Sequence, residues 1–124
     1  VRGKERHTEA TSREIFTGAV ETATYVDERI AEHLRLTLVR FAAGGRTKWH
    51  RHAFEQALVI TEGKGIVATG EQEHVVEPGD VVIIPAGEKH WHGGTESDSM
   101  AHFSITTPGE TTVLEPVESV KTSR

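Results

Sequence analysis

Gly79-Asp80-Val81-Val82-Ile83-Ile84-Pro85-Ala86-Gly87-Glu88-Lys89-His90-Trp91-His92 places an apolar run, a turn and a histidine pair within 14 residues. Val81, Val82, Ile83 and Ile84 are all β-branched, a run that suits a pleated sheet better than a helix. Because every position is apolar, the run predicts a central strand covered on both faces. Pro85 has no N–H to give to a ladder and Gly87 tolerates a turn, so the strand should end there. The chain then re-enters a strand at His90. Side chains two apart on a strand share a face, so His90 and His92 should point the same way.

The same rhythm extends outward from this stretch. Turn signals centred on Gly63, Gly70, Gly79, Gly87 and Gly94 recur every seven to nine residues, the spacing of an all-β sandwich or barrel. Composition agrees, with 13 Val, 7 Ile and 15 Thr against 5 Leu. Further strands are expected over 34–39, 57–61, 66–69 and 100–106; in the first, Leu34, Leu36 and Leu38 share one face. Residues 26–33 (VDERIAEH) are expected as one helical turn. Residues 1–13 are polar and expected to be a flexible N-terminal segment, with 14–124 a single domain, as the length of 124 residues suggests.

Bulk properties exclude several classes. Lys+Arg 14 against Asp+Glu 19 gives a net charge of −5, without the basic footprint of a nucleic-acid binder. No apolar run approaches the ~18 residues of a membrane span, and the first nine residues lack a signal-peptide core. A cytoplasmic protein with no nucleic-acid or membrane partner is expected. The absence of cysteine removes disulfides, thiolate metal sites and a thiol nucleophile. Eight histidines, by contrast, are many for this length.

Five of them are grouped. His50 and His52 stand in Gly44-Gly45-Arg46-Thr47-Lys48-Trp49-His50-Arg51-His52-Ala53-Phe54-Glu55-Gln56, where strand parity puts both on one face. Gln56 shares that parity; Arg51, Glu55 and Ala57 have the opposite one. A His-x-His pair on an inward face is a bidentate clip for Mn, Fe, Co, Ni, Cu or Zn, and His90 or His92 can complete a three-histidine site. His102 follows on a later strand. Trp49 and Trp91 have outward parity and should pack the outer face of a sheet or a dimer interface. Phe54, Leu58, Ile60 and Met100 are expected as the apolar wall of a cavity, and His7, His33 and His74 on the surface. Arg46 and Lys48 either draw an anionic substrate to the mouth or belong to a solvated face.

The spacing resembles that of the cupins. Gly44, His50, His52, Gln56 and Gly63 follow the first cupin motif, and Gly79, Pro85, Gly87 and His90 follow the second, with Gly94 where the family has Asn. The resemblance implies a double-stranded β-helix, a jelly-roll-like antiparallel barrel with a metal inside. The family's usual fourth ligand is glutamate, so Gln56 departs from the pattern; Glu55 would need a bulge to reach inward. Lys48-Trp49-His50, Gly87-Glu88-Lys89-His90-Trp91-His92-Gly93, Met100-x-His102 and Phe16-Thr17-Gly18 are similar to the small bacterial manganese cupins with hydroxynitrile lyase activity. That resemblance implies His50, His52, Gln56 and His90 as ligands of one divalent metal, manganese first. It also implies Thr47, His92 and His102 as polar active-site groups, a small-molecule substrate and a homodimer. The expected activity is a hydroxynitrile lyase; an iron- or manganese-dependent dioxygenase and a non-catalytic small-molecule binder are the alternatives.

Overall fold

The computed structural model describes residues 7–70 and 72–121. Its strands are β1 (Glu9–Ala10), β2 (Phe16–Thr17), β3 (Val20–Val26), β4 (Arg35–Phe41), β5 (Arg46–Thr47), β6 (His50–His52), β7 (Gln56–Gly63), β8 (Gly65–Thr69), β9 (Gln72–Val76), β10 (Val81–Ile84), β11 (His90–Gly94), β12 (Met100–Thr106) and β13 (Thr111–Val113). One sheet runs β1-β3-β4-β12-β7-β10. The other runs β13-β6-β11-β5-β2, with β8 joined to β11 and β9 to β8. All pairings are antiparallel. This is the all-β double-stranded barrel that the motif resemblance implies. The described residues contain no helix, and none long and apolar enough to cross a membrane.

The two sheets close on a core in which Val20, Val39, Phe41, Leu58, Ile60, Ile84 and Met100 of the first meet Val67 and Val76 of the second. Period-2 alternation fills it, because only every other residue of a strand faces inward. On the outer side of the first sheet Ala23, Leu38 and Ala101 pack with Tyr25 and Phe103; this face, not the main core, takes Leu38. On the outer side of the second, Trp91 lies with Ile66, Ala68 and Trp49 under Val117 and Val120. The outward parity of the two tryptophans is therefore matched by cover from the chain's own C-terminal stretch. Bonds from Leu114 N to Trp49 O (2.8 Å) and from Trp49 N to Glu115 O (3.0 Å) tie that stretch down.

Two expectations are revised. The run 81–84 is not a covered central strand: β10 is at the end of its sheet, paired only with β7. Val81 and Ile83 are 60% and 59% exposed while Ile84 is 1% exposed, so an apolar residue at every position did not mean cover on both faces. Of residues 26–33, Val26 ends β3 and 27–33 form only a turn, in which Ile30 N and Ala31 N both donate to Asp27 O at 3.0 Å. Within the segment 1–13, residues 1–6 lie outside the described residues, but Glu9 and Ala10 pair with Thr22 and Glu21 of β3.

One close approach positions the site. Gly93 of β11 lies opposite Arg46 of β5, and a Cβ on Gly93 would overlap the Arg46 side chain and the Gly45 carbonyl. Only glycine lets β11 come this near, and the approach brings Thr47 against His92. The uneven cover of β10 gives a stability test. Ile84→Ala should cost about 2–5 kcal/mol in urea unfolding, as a cavity in a packed core does. Ile83→Ala should cost less than ~1 kcal/mol; equal losses would contradict the assignment of faces.

Candidate metal centre and the cavity beside it

His50 and His52 come from β6 and His90 from β11, with His90 directly opposite His50 in the ladder. The three rings are buried and close, with centroids 4.1 Å apart for His50 and His90, 4.9 Å for His52 and His90 and 5.7 Å for His50 and His52. Each Nδ1 bonds a backbone carbonyl two residues away: Lys48 O at 2.9 Å, Phe54 O at 3.0 Å and Glu88 O at 2.9 Å. A carbonyl only accepts, so each Nδ1 carries the proton and the neutral ring keeps its lone pair on Nε2. One ring nitrogen of each lies within 4.8 Å of the others, and the Nδ1 bonds leave Nε2 for that meeting. His90 Nε2 is buried with no hydrogen-bond partner.

Gln56 joins from β7. Its amide Nε2 donates to Ser104 Oγ at 2.7 Å, which turns Oε1 toward His52 Nε2, 3.0 Å away. With Nδ1–H committed to Phe54 O, the neutral form of the His52 ring turns a lone pair toward the amide oxygen. A cation between them resolves it, and the set of three imidazole nitrogens and an amide oxygen is one that a divalent transition metal accepts. The residues therefore fit a metal. Glu55, just before β7, is exposed. Burial pushes His50 down to about 4 and His90, with His50 as an added neighbour, to about 3. Both rings are thus neutral, and able to ligate, at pH 7.

Beside this cluster His102 Nε2 and His92 Nδ1 share a hydrogen bond of 3.0 Å. The other nitrogen of each ring, His92 Nε2 and His102 Nδ1, is buried without a partner. Burial lowers both pKa values, His102 to about 4 and His92, with His102 next to it, well below its ordinary value. Two neutral rings sharing one proton leave one free lone pair and one free N–H at the outer ends. Phe41 braces the pair, with ring centroids 5.8 Å from His92 and 5.7 Å from His102. Thr47 Oγ1 accepts the His92 backbone N–H at 3.1 Å, leaving its own O–H to donate.

A cavity of about 180 Å³ is lined by His50, His52, Gln56, Thr47, His92 and His102 together. Of the expected apolar wall only Phe54 is there, stacked on His52 at 4.4 Å. Leu58, Ile60 and Met100 lie in the inter-sheet core instead, because the same inward face is cavity at one end of the barrel and core at the other. Phe16 and Val39 replace them as lining. His7, His33 and His74 are exposed, as expected. Arg46 does not reach the mouth; its Nη2 donates to Val117 O at 3.5 Å on the outer side. Sequence reasoning also missed Ser104, Thr106 and Arg13, which line the cavity. Ser104 and Thr106 share the parity of His102 along β12, a signal that could have found them. Arg13 had no such signal.

Two predictions follow from this geometry. Ser104→Ala frees the Gln56 amide and should weaken metal binding about 10-fold, as loss of an outer-shell partner does, while Ser104→Thr should restore it; titration of the metal into stripped protein measures both. The metal-free fold should lose stability on acidification, because the unfolded chain protonates His102 below pH ~6.5 and the fold resists until about 4. Stability from this group is complete above the unfolded value and falls as pH drops through the window. His102→Gln should remove about 1.4 kcal/mol per pH unit from that slope.

Comparison with known proteins places this geometry. Over 68 residues the chain is 43% identical to the (R)-mandelonitrile lyase of Granulicella tundricola, covering 54% of this chain and 52% of that protein. The match thus spans about half the length of that relative. It is 36% identical over 44 residues to the HTH-type transcriptional activator RhaR of Mannheimia succiniciproducens, covering 36% of this chain and 16% of that protein. A cupin-like protein of Thermotoga maritima superposes with a TM-score of 0.84 at 32% identity, covering 90% of this chain and 88% of that one. The polyketide cyclase RemF of Streptomyces resistomycificus, at 18% identity and a TM-score of 0.78, covering 93% of this chain and 87% of its own, shares the fold. The cupin-domain family Cupin_2 matches residues 37–116, the span that holds all four candidate ligands and the His92–His102 pair; this chain belongs to that family.

Proposed function

We propose that this cupin is a metal-dependent lyase of hydroxynitrile lyase type, cleaving a small cyanohydrin to a carbonyl compound and hydrogen cyanide. One observation carries the reading: the bonded His92–His102 pair, with unpartnered ring nitrogens, lines the same cavity as the convergent His50, His52 and Gln56. The similarity to a mandelonitrile lyase over half the chain supports it.

A metal held by His50, His52, His90 and Gln56 supplies Lewis acidity to an oxygen or nitrogen of the substrate. Manganese is the metal of this reading. The four neutral ligands remove none of its charge, which favours anion stabilisation and weighs against a higher oxidation state, hence against the dioxygenase alternative. His102 takes the proton of the substrate hydroxyl, and Thr47 holds that oxygen through its free O–H. The carbon–carbon bond to the nitrile breaks, its electron pair leaves with cyanide, and the hydroxyl carbon becomes a carbonyl. His92 shares the abstracted proton through its bond to His102, and the proton is returned to cyanide.

His102→Ala should lower turnover of mandelonitrile at least ~100-fold, the scale of a lost general base. Metal content, by elemental analysis of protein purified without nickel resin, should stay at one ion per chain. Loss of the ion in that variant would make His102 structural. Turnover only with oxygen would select the dioxygenase, and a metal-loaded protein inert to both substrate classes would select the binding module.

A further inference from the structure

We infer that Arg13 is the anion-binding residue at the mouth of this cavity and that the small molecule taken up carries a carboxylate. The inference rests on the cavity being a substrate site, as proposed above. Arg13 is the one permanently charged side chain that lines it among the described residues, and no Asp or Glu does so. Its guanidinium lies over the Phe16 ring, 5.8 Å from the centroid. Phe16 packs edge-on to Phe41 at 6.2 Å, and Phe41 touches both His92 and His102. The cation is therefore placed by a chain of rings that ends at the reactive pair.

The backbone that carries it is tied down. Thr11 N donates to Val20 O at 3.0 Å, Phe16 N to Arg13 O at 3.0 Å, and Lys48 N to Ile15 O at 2.7 Å. Phe16 pairs with Thr47 across β2 and β5. Among the described residues Arg13 forms no ion pair. An exposed arginine stacked over a pocket without a counter-charge keeps its planar fork of donors free for a carboxylate.

Charge and size narrow the ligand. The candidate metal ligands are all neutral, so a bound divalent ion adds positive charge at the base to that of Arg13 at the mouth. The volume of about 180 Å³ is slightly above the ~150 Å³ cavity that holds benzene. Ile15, Phe16, Val39 and Phe54 supply apolar surface for a ring or chain, between the threonines and histidines of the lining. A single substituted ring, or an aliphatic acid of similar bulk, fits these limits, with its carboxylate outward and its reacting carbon inward.

The test compares 4-formylbenzoate with benzaldehyde on the full chain, with and without manganese, in the wild type and in Arg13→Gln and Arg13→Lys. Calorimetry should show the carboxylate bound about 10-fold more tightly than the neutral aldehyde by the wild type. Arg13→Gln should remove most of that preference and Arg13→Lys should recover part of it, with metal content unchanged. With the two cyanohydrins as substrates, the carboxylate-to-neutral ratio of kcat/KM should fall about 10-fold in Arg13→Gln, through KM. A preference that Arg13→Gln leaves intact, or one that exists only with manganese and ignores Arg13, overturns the inference. Arg13-dependent carboxylate binding without turnover overturns the lyase reading and leaves this inference standing; turnover with an Arg13-independent ratio does the reverse.

Discussion

Three hydrogen bonds, each from a histidine Nδ1 to a carbonyl two residues away, just beyond the end of its strand, determine what this barrel can hold. Each fixes a tautomer, and together they deny the Nε2 atoms any proton of their own. A lone imidazole could satisfy itself by swapping tautomers, but these three are committed by strand geometry. Their free nitrogens meet in one place, where His90 Nε2 is buried without a partner, a cost that a shared cation removes. The rest of the local structure keeps them there: the His50–His90 register, the stack of Phe54 on His52, and the glycine that lets β11 approach β5.

Strand β12 links this centre to its chemistry. Along its inner face Met100 is core, His102 bonds His92, Ser104 holds the Gln56 amide and Thr106 lines the cavity. One alternating face thus passes from packing to reactivity to ligand orientation within seven residues. Its outer face carries Ala101 and Phe103, packed with Leu38 and Tyr25. Central placement between β4 and β7 gives it ladder bonds on both edges, so the three polar side chains stand on a stiff support.

Parity and turn spacing made most of the frame readable. Glycine turns marked the strand ends, and the two-residue repeat put His50, His52 and Gln56 on one face and Trp49 and Trp91 on the other. Local pattern could not say where a strand sits in its sheet. Four β-branched residues read the same in an edge strand as in a central one, so the exposure of Val81 and Ile83 was invisible. Nor could it divide an inward face into core and cavity: Leu58, Ile60 and Met100 read as cavity wall from parity, yet they are core. Arg13 lies 37 residues before His50, and only the pairing of β2 with β5 brings it to the mouth.

Gln56 and Ser104 act as one unit, joined by the bond from the amide to the hydroxyl. An amide offers one acceptor and one donor face, and Ser104 takes the donor, so a single orientation presents oxygen to the histidine cluster. A carboxylate would present oxygen either way, and the serine would then have to donate to it. With the amide, the serine accepts, and its own proton remains available within the cavity. The same choice leaves the cavity lining without any negative charge among the described residues. Charge neutrality in a buried, low-dielectric space must then come from what enters. With the proposed divalent ion at the base and Arg13 at the mouth, an anion gains from both ends of the cavity, which is the balance that the proposed cyanide leaving group and carboxylate-bearing substrate require.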